Sequence, residues 1–433
     1  MRLLGVMVVA SVGALGCGDD SGPGGDAGGG SDAGPGIDGG GDDAGPPAAF
    51  DAGPPPSCDL ATFSTAFATA FGGERDAELE ALVAVAPDGP FAFGWRSATG
   101  VGASRTTRVE VALLDGAGTE VGNARLGEVS EAMTRLGQIA LAPAGGGVFV
   151  AWEHATTDMD GRITAAEIRH AGLGADGSVG RAEAMLYAGS ATPFVAADPP
   201  DDLWMLRSEL DFMGTTTGVL PRIQHLDAAG TPSGEDVSAN SFIRVEATEV
   251  KLAPRGTGLV LAYRVAPSTA LVVPLDRTPI PASPERRVFD VPFVDDVAAL
   301  EDAIAIAWNE TAGGVARLGV VVTSGAGTLR ARVELDSFDA DYEAHVAVVR
   351  AWPGFVAIWR AGAGDEARLR AAGIDPYGTV VVPPTDLAAV AGLDGDVLAV
   401  SDGTVLTVGY RLSPGDTMGS LGMTRACVPG TSP

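Results

Sequence analysis

His154, His170, His225 and His345 are the only imidazoles in the chain, so neutral-pH proton transfer by histidine rests on these four. His170 and His225 close two matching segments, "AEIRH" and "RIQH". Their equivalent placement predicts a packing role rather than a catalytic one. No HExxH, CxxC or GxSxG occurs, which removes the zinc-protease and serine-hydrolase signatures. "GLGADG" at 172–177 has the spacing of a phosphate-cradling glycine loop, but it reads as a hairpin turn with no helix after it. Without a helix N-terminus to receive phosphate, the match has no mechanism.

"TTDMDGRITAAE" at 156–167 resembles the calcium loop of an EF-hand, with Asp158, Asp160, Gly161 and Glu167 at matching places. Thr156 stands where the first aspartate belongs, and the flanks read as strands instead of the helices that loop needs. A polar Asp-Gly hairpin loop is the simpler reading. No metal and no cofactor is expected, and no residue is singled out as catalytic.

The elements that would position any chemistry come from a repeat. Short apolar strands end in an aromatic and then a polar residue: "FAFGWR", "VFVAWE", "LVLAYR", "AIAIAWN", "FVAIWR" and "VLTVGYR". The aromatic positions are Trp95, Trp152, Tyr263, Trp308, Trp359 and Tyr410, and "DLWMLR" places Leu206 in the gap. Successive spacings are 57, 54, 57, 45, 51 and 51 residues. An apolar segment and turn precede each copy. Another strand and a Gly/Asp turn follow, as in "LLDGAGT", "HLDAAGT" and "IDPYGT", and then a last strand. Four short strands per unit, at this period and without helical periodicity, predict an all-β, seven-bladed β-propeller over 57–433.

The residue after each landmark is Arg96, Glu153, Arg207, Arg264, Asn309, Arg360 or Arg411. Each is expected where the second strand leaves the sheet, on one face of the ring. Arg96, Arg207, Arg264, Arg360 and Arg411 then form a candidate ligand-binding face, since guanidinium forks suit carboxylate or phosphate groups. Asp295, Asp296, Asp339, Asp341 and Glu343 are expected in interblade loops of the same face. The simpler alternative is that the arginines pair with these acids and stack on the repeat aromatics, tying blades together.

The chain has 433 residues, 46% hydrophobic and 19% charged, with a formal charge of −28. That charge argues against nucleic acid, because phosphate binding needs a basic stripe. "MRLLGVMVVASVGALGC" combines a basic residue, an apolar run from Leu3 to Leu15 and small residues before Cys17. "ALGC" at 14–17 resembles the lipobox of bacterial lipoproteins, with Ala14 where leucine is usual. The resemblance implies a signal peptide over 1–16, acylation of Cys17 and attachment to the membrane through that lipid. It places the protein as exported and lipid-anchored to the bacterial cell envelope, at the outer membrane or cell surface. Residues 17–56 are nearly all Gly, Asp, Pro, Ala and Ser and read as a disordered, acidic tether.

Export permits disulfides, and with Cys17 acylated, Cys58 and Cys427 are left to pair. The seventh unit ends in "ACVPGTSP" with no fourth strand after it, while "SCDLATFSTAFATAF" at 57–71 belongs to no unit. Closing the ring with that segment as the outer strand of the last blade sets Cys58 beside Cys427. A monomer is expected. The function this supports is an envelope binding or structural module that meets a protein, peptide or glycan through a propeller face. The alternative is a carboxylate-dependent hydrolase or lyase acting in the channel on glycans or peptides. It requires acids from different blades to converge there, with one desolvated.

Overall fold

The computed structural model describes residues 53–431, except 70–77, 87, 101–104, 131–133, 160–162, 198–201, 212–217, 239–247, 257, 267–268, 276–285, 290, 340–343, 363 and 413–419. The signal segment, Cys17 and most of the tether therefore lie outside the described residues, as do Asp160, Gly161, Asp341 and Glu343.

Seven four-stranded antiparallel sheets form a seven-bladed β-propeller. Blades 1 to 6 run in chain order from Glu78–Ala84 to Val380–Ala389, four consecutive strands each. The first strands neighbour one another around the ring: Glu78–Ala84, Thr134–Ala144, Ser190–Ala197, Thr248–Arg255, Phe293–Ala299, Val346–Ala351 and Leu393–Ser401, which returns to Glu78–Ala84. The only helical turn among the described residues is the 3-10 segment Gly364–Glu366.

The landmark aromatics explain why the units stack. In blade 3 Met205 packs on blade 2 while Leu206 faces blade 4 instead; Trp95, Trp152, Trp308 and Trp359 are fully buried. Each packs against the preceding blade: Trp152 joins Val109 and Val111, Trp308 joins Val260 and Val272, and Trp359 joins Leu318 and Val320. Trp95 of blade 1 packs on Leu421 and Met423 of blade 7, which closes the circle. A second strand is thus apolar on both faces, and its sequence is a continuous apolar run rather than an alternation. The outermost strands face water, as in the mostly exposed Val179–Ala188.

Room for these rings is made by glycine. Gly319 lies directly across the ladder from Trp308, and a Cβ there would stand 2.3 Å from the indole. Gly319→Ala is expected to cost about 1–3 kcal/mol, because neither the ring nor the strand can give way. A shift of the denaturant midpoint would show it; an unchanged midpoint would mean blade 5 is packed more loosely than described.

The last blade is composite, in the order Phe63–Thr69, Ser420–Cys427, Val405–Leu412, Leu393–Ser401. The N-terminal strand pairs antiparallel with the C-terminal one, Phe63 opposite Arg425 and Phe67 opposite Leu421. Cys58 and Cys427 are disulfide-bonded with Cα atoms 5.9 Å apart, as the sequence predicts. In the matching turn of blade 6, the Asp375 carboxylate accepts the amides of Tyr377 and Thr379. Cys427 occupies the equivalent position, and its side chain crosses to the other terminus instead.

Candidate functional site

Each first strand begins on one face of the ring and ends on the other. Its leading end has no partner sheet on the axis side, so polar residues there face the channel. Together these ends surround a mouth of about 1090 Å³. Five carboxylates line it (Glu80, Glu153, Asp295, Asp296 and Asp396), with Arg96, Arg135, Lys251 and His345. The far end is a separate cavity of about 780 Å³ walled largely by Ala84, Ala253, Val297, Ala299, Trp352 and Val400.

Two of the acids are committed to holding blades together. Glu80 pairs with the Arg96 Nε and accepts the Ile139 amide of blade 2 at 2.9 Å. Glu153 pairs with Arg135 at 3.4 Å and accepts the Thr192 amide of blade 3 at 3.1 Å. A carboxylate loses less by leaving water when donors replace the solvent, which accounts for both being nearly buried.

Across the mouth the chemistry is different. Asp295 Oδ1 accepts Asn309 Nδ2 at 2.6 Å, and Oδ2 accepts the Val346 amide at 3.1 Å. The same Oδ1 lies 3.0 Å from His345 Nδ1. The other imidazole nitrogen, Nε2, stands 3.2 Å from Asp396 Oδ1. Asp295 is 6% exposed, His345 28% and Asp396 57%, so the three run from buried protein to open water. A buried carboxylate on one ring nitrogen sets the orientation of a histidine and leaves the second nitrogen for proton exchange.

Asp296 stands beside this group, its carboxylate accepting the amides of Val348 (2.9 Å) and Val297 (2.9 Å). Burial pushes its carboxyl up to about 6, against the Lys251 ammonium and those two amides, which pull it down; the Asp295 carboxylate adds to the rise. An unfolded aspartate binds its proton only below about 3.8, so the folded state gains protons relative to it between 3.8 and about 6. Wild-type stability therefore falls as pH rises through that window, by on the order of 3 kcal/mol. Asp296→Asn does not titrate and should gain that amount on wild type between pH 4 and 7. Parallel stability curves for the two proteins would show that Asp296 is not strained.

The arginine face predicted from the repeat is placed as follows. The second strands run on for one to four residues past the landmark-plus-one position, so these arginines sit within the sheets and not at their exits. Arg96 donates to Leu136 O of blade 2, Arg264 to Pro292 O at the edge of blade 5, and Arg360 to Leu393 O of blade 7. Arg207 is buried and paired with Asp236 and Ser190. Arg411 lies opposite Leu421 and Asp394 in its ladders. Of the five, only Arg96 lines the mouth. The guanidiniums over Trp308 and Trp359 are Arg332, from the fourth strand of blade 5, and Arg370, from the third strand of blade 6. Asp295 and Asp296 lie in the first strand of blade 5 and not in a loop; Asp339 ends its fourth strand.

Glu80, Arg135, Lys251 and Asp396 carry no mark in the repeat, and the sequence offers no means of grouping them with His345. One signal was available: Asn309 departs from the arginine common at its position, and it is the residue that bonds to Asp295. In the calcium-like stretch, Glu167 sits within the third strand of blade 2, in reach of His154 and Arg169. "GLGADG" is a hairpin turn between strands, Gly177 N donating to Gly174 O.

The sequence matches no protein-family model and no curated protein. In structure, the chain is similar to the polysaccharide lyase Uly1, at 10% identity and a TM-score of 0.51, over 80% of this chain and 89% of that one. It is equally similar to an ulvan lyase described as a new family of polysaccharide lyase, at 11% identity and a TM-score of 0.51, over 83% and 95%. It spans 46% of the length of prolyl oligopeptidase B from Galerina marginata, at 14% identity, 78% of this chain and a TM-score of 0.40. At these identities the likeness is one of fold, and this chain is a seven-bladed β-propeller.

Proposed function

We propose that the protein is a hydrolase or lyase that works by acid–base chemistry at the wide mouth of the channel, on a glycan or peptide. The observation that carries this is the convergence of Asp295, His345 and Asp396 from blades 5, 6 and 7, with the proton-retaining Asp296 beside them. His345, oriented by Asp295, takes or returns a proton through Nε2. Asp296, which holds its proton up to about pH 6, donates below that pH to a leaving oxygen or nitrogen. A mouth of this size admits a chain segment several residues or sugars long.

Catalysis needs groups of opposite proton demand side by side, and this pair supplies them. The two polysaccharide lyases lend only the order of assays, glycans first. The test is incubation of the full chain with uronate, neutral and amino-sugar polymers and with peptides. Reducing ends report hydrolysis, and the ultraviolet absorbance of an unsaturated sugar reports elimination. Turnover that declines above pH 6 supports the reading. Binding without turnover, unchanged in His345→Gln, makes the propeller instead a binding module for protein, peptide or glycan, the role to which Arg96 and its companion arginines would belong.

We further propose that the protein acts at the bacterial cell envelope, exported and held by a lipid on Cys17. Labelled palmitate should enter the wild-type chain, and Cys17→Ser should abolish incorporation and release the protein from membranes. Label retained in that variant would move the anchor elsewhere.

A further inference from the structure

Blade 3 holds a second group that the channel mouth does not use. His225 Nδ1 lies 2.5 Å from Ser233 Oγ, and His225 Nε2 lies 2.6 Å from Asp202 Oδ1. His225 and Ser233 face each other across the third and fourth strands. Asp202 immediately precedes the second strand, Leu203–Asp211. The group therefore sits at the face opposite the mouth, where the second strands begin.

We propose that Ser233, His225 and Asp202 form a second reactive centre, an activated serine that accepts acyl groups from carboxylic esters. Asp202 on Nε2 holds the ring hydrogen there, so Nδ1 presents its lone pair to the serine hydroxyl. This is the triad logic with the two ring nitrogens exchanged. The group is reachable from water, His225 being 31% and Asp202 22% exposed.

The backbone supplies the other half of the requirement. The ladder passes from Gln224–Asp236 to His225–Ser233, so Gly234 and Glu235 bulge out of register directly after the serine. Gly234 takes φ +76, the left-handed conformation of a glycine bulge. Amides freed from a ladder beside a nucleophile are the donors an oxyanion needs. His170, at the equivalent position of blade 2, shows what packing alone looks like. It is 8% exposed against Phe149, its Nδ1 has no hydrogen-bond partner, and burial lowers its pKa.

In the reaction, Ser233 Oγ bonds to the ester carbonyl carbon while its proton passes to His225 Nδ1. The carbon–oxygen bond to the alcohol then breaks, and the alcohol leaves with that proton. Water, deprotonated by the same nitrogen, hydrolyses the acyl-serine. With His225 and Asp202 both open to water, the ester is one presented at a surface.

The test treats the folded full chain with a fluorophosphonate probe, whose phosphorus bonds to Oγ as fluoride leaves, and maps the adduct by peptide mass spectrometry. The expected result is an adduct on Ser233, with labelling slowed about 10²-fold or more in His225→Gln, and release of nitrophenol from p-nitrophenyl acetate that Ser233→Ala removes. Unlabelled Ser233 in the folded wild-type chain would overturn the proposal, and so would equal labelling rates in wild type and His225→Gln. Because the adduct is located by residue, the result stands apart from any outcome at the channel mouth.

Discussion

His345→Gln will lose about 10²- to 10⁴-fold of the turnover at the channel mouth while keeping its melting transition near that of wild type. Glutamine spans a similar length and can donate one hydrogen bond to Asp295, so the contact between blades 5 and 6 survives. It cannot bind and release a proton near neutrality. The half-buried setting of His345, with Asp295 behind it and water in front, makes that exchange its distinguishing property. The loss should fall on kcat and kcat/KM alike, since the interaction belongs to the transition state. A variant that turns substrate over at the wild-type rate would remove His345 from the chemistry, and the acid–base reading of the mouth would go with it.

The largest effect on stability is expected at the seam of the ring. Cys58 and Cys427 are 369 residues apart in sequence, so their bond closes nearly the whole domain into one loop. In the chain-entropy model, opening such a loop costs on the order of 5 kcal/mol, an upper figure for a bond of this kind. Cys427→Ser should therefore unfold at a much lower denaturant concentration than wild type, and wild type in reductant should match it. Local opening comes first. Without the bond, the N-terminal strand is held by its ladder to Ser420–Cys427, the Ser64–Thr424 hydroxyl contact and Phe67 against Phe93. Its departure exposes Leu421 and Met423 and unpacks Trp95. Amide exchange should accelerate first along residues 420–427. Identical midpoints with and without reductant would show that packing between blades 1 and 7 closes the ring by itself.

The two sites illustrate different kinds of commitment. At the seam, the disulfide, the strand ladder and the Ser64–Thr424 contact all hold the ring closed, and removing any of them is a loss. At the mouth, burial pushes the Asp296 carboxyl up to about 6, so the fold loses stability as pH rises and the group ionises. A position that costs stability at neutral pH, and that asparagine would improve, is one where packing has not been the only demand.

The residues also differ in how far they could be read in advance. The seven blades follow from spacing and turn chemistry, since each unit needs only its own strands and an apolar face for its neighbour. Trp95 through Tyr410 mark the second strands because that position must fill the gap to the preceding sheet, a demand the landmark meets in six copies, while in blade 3 Met205 meets it and Leu206 faces the other way. The Cys58–Cys427 bond follows from the same logic, as a missing strand and a spare strand have only one another. The arginines after the landmarks are equally regular. That regularity led to a shared face, whereas Arg96, Arg264 and Arg360 donate to carbonyls at the next blade's leading strand and Arg207 is paired within blade 3.

What the sequence alone determined is the architecture and its closure, because both rest on short-range patterns repeated at a period. What only the tertiary structure decided is which side chains meet. Glu80, Asp295, His345 and Asp396 come from four blades and are separated by up to 316 residues, and Ser233 meets Asp202 only through the register of three strands. Ring closure and strand pairing set those encounters, and no local spacing along the chain encodes them.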